Sequence, residues 1–278
     1  MSIFERLTRI DRRIIFCTVA LAVIIPLLRP IGFPVSVSPS VKKLYDAIEA
    51  LPPGSRVLMS FDYDPSTMPE VYPMNFSIAK HCFKRGLKVY GMALWATGVS
   101  LGQDALEKAA KQYDKAYGVD YINLGFKAGG IVVISAMAEN VVETFPEDYA
   151  GRSVGQFPVM KGVRNFDDFD LIVDFSAGDP GVIQWIMIAY GRYGKKVGAG
   201  CTAVSAPAFY PYLNAGQLVG LLGGMKGAAE YEKLMDYMGT ATAGMDAQSV
   251  VHALIVFYVL FGNAMYLVER RRSRRNRL

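Results

Sequence analysis

The chain of 278 residues carries 30 Lys and Arg against 25 Asp and Glu, a formal charge of +5, but the excess sits at the two ends. Arg6, Arg9, Arg12, Arg13 and Arg29 oppose two acids in residues 1–37, and Arg270, Arg271, Arg272, Arg274, Arg275 and Arg277 oppose Glu269 alone, leaving 19 basic and 22 acidic residues between 38 and 248. A mildly acidic middle argues against a nucleic-acid partner, three cysteines against a disulfide framework, and two distant histidines, His81 and His252, against a histidine metal site or a Ser-His-Asp triad.

Residues 1–13 are short, amphipathic and basic, and Ile14 to Leu28 follow as an apolar run extended past Arg29 to Val37. The spacing predicts a first membrane anchor over 14–37, with the basic end inside and Arg29 snorkelling to the outer interface. Arg29, Pro30 and Pro34 stand where a signal peptide would carry its small-residue cleavage site, so the anchor is expected to stay uncleaved.

From Ser38 the pattern is that of a folded domain, expected to run to residue 248. A connector with an amphipathic turn or two ends at Pro52, Pro53 and Gly54. Apolar runs at Arg56–Phe61, Leu87–Trp95, Tyr121–Leu124, Asp170–Phe175 and Lys196–Thr202 read as strands. Between them, Met74–Arg85, Gln103–Tyr117, Gly129–Phe145 and Val182–Tyr193 have helical spacing, and Asp148–Asp168 is irregular. Alternation of this kind predicts an α/β fold, Rossmann-like, with a mostly parallel sheet covered by helices on both faces; a mixed α+β sheet is the alternative. Cys82 and Cys201 fall on different kinds of element and are expected to be unpaired buried thiols. VLMSFDYDP and LIVDFSAGDP, each followed by a helix, a glycine, a lysine and a strand, form a faint internal echo.

Ala215 to Met238 reads as one helix with Gly216, Gly220, Gly224 and Ala228 on a single face. Bare faces of this kind let a second backbone approach closely, so this one is expected to pack first on the sheet, next against another subunit, or else along a membrane surface, and self-association as a homo-oligomer is expected to run through it. Ser249 to Val268, SVVHALIVFYVLFGNAMYLV, has the roughly 20 residues needed to cross about 30 Å of hydrocarbon. The arginine-rich tail, 269–278, is expected to stay cytoplasmic. The chain is therefore expected in the plasma membrane as a two-pass protein, both ends cytoplasmic and residues 38–248 extracytoplasmic. His252 and Asn263 in the second span are expected to face neighbouring helices.

In a parallel sheet, ligands sit beyond the C-terminal strand ends. That rule gathers Ser66, Lys127, Gly129, Gly130, Ser176, Asp179 and Thr202 into a candidate rim for a small anionic ligand. Lys127 with two glycines before a helix suits an anion, although the Walker spacing is absent. Asp179 also has a plain role as a helix cap.

Asp62 and Asp64, in SFDYDPST at the end of the first strand, form a DxDx(S/T) pattern. Over some ten residues it resembles the first motif of the haloacid-dehalogenase phosphatases. The resemblance implies Asp62 as nucleophile, Asp64 as general acid and base, and a bridging Mg²⁺. Pro65 replaces that family's glycine. The main expectation is a membrane-anchored protein that works by binding and homo-oligomeric assembly, as a scaffold or accessory subunit of a membrane complex. A tethered Mg²⁺-dependent phosphoester hydrolase and a solute-sensing subunit are the alternatives.

Overall fold

The computed structural model describes residues 11–275; Arg6, Arg9 and Arg277, on which part of the charge reading rests, lie outside them. The chain forms two units, residues 35–241 and the segments before and after them.

The larger unit is an all-parallel sheet of six strands, β1 (Arg56–Asp62), β2 (Lys88–Ala93), β3 (Tyr121–Phe126), β4 (Leu171–Ser176), β5 (Val197–Cys201) and β6 (Gly220–Gly223), in the order β3-β2-β1-β4-β5-β6. Parallel neighbours need crossovers, and helices supply them on both faces, as expected. We number the helices in chain order from the smaller unit, whose first helix is α1 (Arg12–Leu28). One face of the sheet carries α2 (Pro39–Glu49), α3 (Met68–Lys84), α4 (Gly98–Gln112) and α9 (Gly224–Leu234). The other carries α5 (Ile131–Glu139), α6 (Val141–Thr144), α7 (Val182–Trp185), which runs on as a π turn over Ile186–Tyr190, and α8 (Ala206–Asn214).

Helix bounds differ from the sequence reading where caps and prolines act. Helix α3 begins at Met68 rather than Met74, because Pro69 is tolerated in a first turn, where no amide partner is needed. The expected helix Gly129–Phe145 breaks at Asn140, whose side chain accepts from the amides of Val142 and Glu143 and so starts α6.

The expected helix Ala215–Met238 does not form. Gly216, in the left-handed region at φ +75°, ends the chain turn after α8. Residues 220–223 pair with β5 as the edge strand β6, and a helix starts only at Gly224. The residues at 216, 220, 224 and 228 therefore share no helix face, and the surface expected to join subunits does not exist in that form. Gly220 instead admits α2: a Cβ there would stand 2.4 Å from the backbone nitrogen of Leu44, and one at Gly198 of β5 2.5 Å from the Leu44 side chain. Ala228 is wholly buried on α9. Glu230 and Glu232 are buried. Glu230 accepts from the Ser38 amide at 2.8 Å, ahead of α2, and Glu232 from the amides of Gly239 and Ala241 at 3.0 Å each. Cys82 and Cys201 are buried and free.

In the smaller unit, α1 has 17 residues, about 25 Å by the rise of an α-helix, and includes Pro26. Helix α10 (Thr240–Arg275) has 36 residues, about 54 Å. Among the described residues α10 is the one helix long and apolar enough to cross a membrane, by length and composition. Thr18 of α1 meets the hydroxyl of Tyr258 at 2.5 Å, and Asp246 accepts from the amides of Ile31, Gly32 and Phe33 at 2.7, 2.8 and 3.0 Å. Later residues of the first segment thus meet earlier residues of α10, which is antiparallel pairing. Asn263, expected to face another helix, gives its amide to the Val259 carbonyl one turn back.

Because the Gly220 position leaves no room before the α2 backbone, Gly220→Ala is expected to lower stability by about 1–3 kcal/mol. Thermal unfolding of the detergent-solubilised chain measures it, and an unchanged midpoint would show that α2 can retreat without loss.

Candidate functional site

Strand order reverses between β1 and β4, so the crevice beyond their C-terminal ends is where an open parallel sheet offers a site. The chain itself fills much of it. Trp95, after β2, donates its indole N–H to the Pro180 carbonyl after β4 at 2.9 Å, crossing the end of β1. Gly178 lies under that ring, since a Cβ there would stand 3.2 Å from it, and one at Gly130 would stand 3.3 Å from Pro180. Thr97 donates to the Tyr63 carbonyl at 3.2 Å, and Glu70 accepts from the Ala203 amide at 2.8 Å. These contacts tie together the loops after β1, β2, β4 and β5.

The expected ligand residues are mostly occupied by their own neighbours. Ser66 donates to Asp64 at 2.7 Å, Ser176 to the Gly178 carbonyl at 2.9 Å, and Thr202 pairs with Ser205 at 3.0 Å. Asp179 accepts from the Gln184 amide, next to the α7 start. Gly129 and Gly130 have positive φ, +136° and +51°, where a side chain would be strained, and they aim the chain into α5. Lys127 turns away from the crevice: its ammonium donates to the Thr144 carbonyl at 2.5 Å beside a groove of about 370 Å³ lined by Val132, Ala136, Glu139 and Asn140.

The two aspartates of the phosphatase-like motif part company. Asp64 is half-buried and closes a turn, accepting from the Ser66 hydroxyl and amide and from the Thr67 amide, which holds its carboxyl below the usual range. Asp62 is wholly buried and accepts from the Leu94 amide at 2.6 Å and the Ser60 hydroxyl at 2.7 Å, with the Trp185 indole N–H at 3.5 Å. A nucleophile must reach a phosphoester, and a buried, hydrogen-bonded carboxyl does not. No group of three or more His, Cys, Asp or Glu side chains among the described residues could gather round a Mg²⁺ ion. The residues present do not fit the metal that the motif implies.

What the sequence reading missed is Asp174, in the middle of β4. Its signal was an acid inside an apolar run, LIVDFS. Register sets Ser60 opposite Asp174 and Asp62 opposite Ser176, so the Asp62 and Asp174 carboxyls meet on the face under α7. No donor reaches either oxygen of Asp174, which is wholly buried. Burial pushes Asp62 up to about 6, against the pull of its donors, and pushes Asp174 far above the carboxylate range, helped by the Asp62 charge. Asp174 is therefore the carboxylic acid that gives its proton to the better-served Asp62. Two like charges in such contact would not both form.

No known family, no curated protein and no solved structure matches the chain.

Both acids bind protons more tightly folded than unfolded, so their contribution is fully favourable below the ordinary carboxyl range and is lost as pH rises through the folded values. Asp174→Asn keeps a donor facing Asp62 and removes the titrating proton. It is expected to stabilise the domain at about pH 8 by about 1–3 kcal/mol, with the gain vanishing by about pH 4. Unfolding midpoints across that range measure it, and a loss of stability at every pH would refute the shared proton.

Proposed function

We propose that this is a membrane-tethered α/β module that works by binding a second copy of itself rather than by turnover. The carrying observation is the outer face of α5 and α7. These helices pack on one another, and toward solvent they turn Val132 (69% exposed) and Ala136 from one, Ile183 (40%) and Met187 (55%) from the other and its π continuation. Apolar side chains exposed on two helices that pack on one another suit an interaction surface. The rim supports the same reading, since most of its polar groups bond within the chain and leave few for a substrate.

Confinement to a bilayer favours a like partner. Tethered copies meet at a raised effective concentration, so a modest apolar patch holds them together. On this reading the protein spans twice, with both ends cytoplasmic and the sheet domain outside. The antiparallel pairing of α1 with α10 supports two passes, because it sets the start of α1 level with the far part of α10. Arg12 and Arg13 then stand on the same side as Arg270 and Arg271, the side that resists translocation. A helix of 17 residues crosses with its flanks drawn in or the bilayer thinned.

Met187→Glu is expected to weaken self-association about tenfold or more, shifting the detergent-solubilised particle toward the monomer in light scattering. Val204→Glu, which adds the same charge at an apolar residue 89% exposed in another loop, is the control and should leave the size alone. A monomeric wild type, or equal effects of the two changes, would sink the reading.

A further inference from the structure

His81 of α3 has no exposed surface and stands where α2 and α9 converge on it. Its Nε2 lies 2.7 Å from the Glu49 carboxyl at the end of α2, and its Nδ1 2.7 Å from the Tyr231 hydroxyl on α9. The ring stacks on Tyr45 of α2 at 4.4 Å between centroids. A carboxylate only accepts, so Nε2 carries the ring proton and Nδ1 accepts from the Tyr231 O–H. One neutral imidazole thereby satisfies both helices at once.

A second proton breaks that arrangement. Nδ1 would become a donor, Tyr231 would have to turn its hydroxyl to accept, and its own O–H would lose the partner it has, where both side chains are wholly buried. A buried donor left without an acceptor costs about 1–3 kcal/mol. The groups facing the ring are Tyr45 and Glu49 from α2, Cys82, Lys84 and Arg85 from α3, and Tyr231 from α9, with Tyr237 beyond it. Burial holds the imidazole below its ordinary value, Glu49 opposes this, and Lys84 and Arg85 reinforce it.

We propose that His81 is a proton-operated joint: taking up a proton there loosens α2 and α9, the helices that follow α1 and precede α10 in the chain. Acidification of the compartment around the sheet domain would then be felt first in the two elements through which that domain is joined to its membrane helices. The reading stands on the His81 contacts alone and does not require self-association.

Hydrogen exchange on the full chain in lipid nanodiscs tests it, with rates corrected for the intrinsic effect of pH. Between about pH 7.5 and about pH 5, protection of α2 and α9 is expected to fall about fivefold or more, while α4 and α5 change by less than about twofold. His81→Gln should abolish the difference. Glu49→Gln, which keeps a side chain of the same shape and removes the charge that favours imidazolium, should retain protection at the higher pH and move the loosening to lower pH. If α2 and α9 are equally protected at both values in the wild type, or loosen alike in the wild type and both variants, the joint does not exist.

Discussion

Two carboxyl groups set side by side away from water cannot both be charged, and the centre of this sheet is built around that constraint. Asp62 and Asp174 come from adjacent parallel strands at the point where strand order reverses. One of them must keep a proton, and the surroundings decide which. Asp62 has the Leu94 amide, the Ser60 hydroxyl and the Trp185 indole to serve a charge, while Asp174 has none of these. The pair therefore binds the loop after β2 and the end of α7 to the sheet from below. Trp95, one residue past Leu94, closes the same crevice from above by reaching Pro180. Where sheets of this order commonly receive a ligand, this one is tied shut by its own side chains.

Carboxylates also hold the segments that join the two units. Within the sheet unit, Glu230 takes up the amide ahead of α2 and Glu232 the amides at the start of α10. Within the smaller unit, Asp246 collects three successive amides of the chain that leaves α1, with Gly32 in the left-handed region turning the middle one toward it. Each acid answers the same need, since backbone N–H groups in irregular chain near a helix end have no ladder to join. An acid on a neighbouring helix is the local substitute.

The strands were legible because buried parallel strands are continuous apolar runs bounded by glycine and aspartate, and five of the six announced themselves that way. The sixth did not. GLLG is four residues long, and its first glycine, Gly220, falls midway in the four-residue spacing of Gly216 and Gly224, so a strand edge and two turn positions imitated a bare helix face. Periodicity cannot separate the two, because left-handed turns and close approaches of α2 demand glycine as firmly as helix contacts do. The site was legible only in part. The rim rule gathered the right loops, but whether their polar side chains face outward or bond to one another depends on partners far off in sequence, such as Trp95 with Pro180 or Glu70 with Ala203. Asp62 read as a loop residue because its neighbours Tyr63 and Asp64 are polar; parallel register draws it one step back into the sheet.

The buried titrating groups on the two faces respond to protons in opposite senses. The acid pair under α7 is strained as pH rises above about 4, the ordinary carboxyl value, and His81 under α2 and α9 as pH falls below about 6.5, the ordinary imidazole value. Over the interval between, the two slopes oppose one another, so His81 offsets part of what the acid pair loses as pH rises. What changes is where the strain sits. Toward the acid end it lies among α2 and α9, and toward neutrality it lies at the crevice and under α7. A domain whose weak point moves from one face to the other with pH can alter its packing at one end while the other end stays firm.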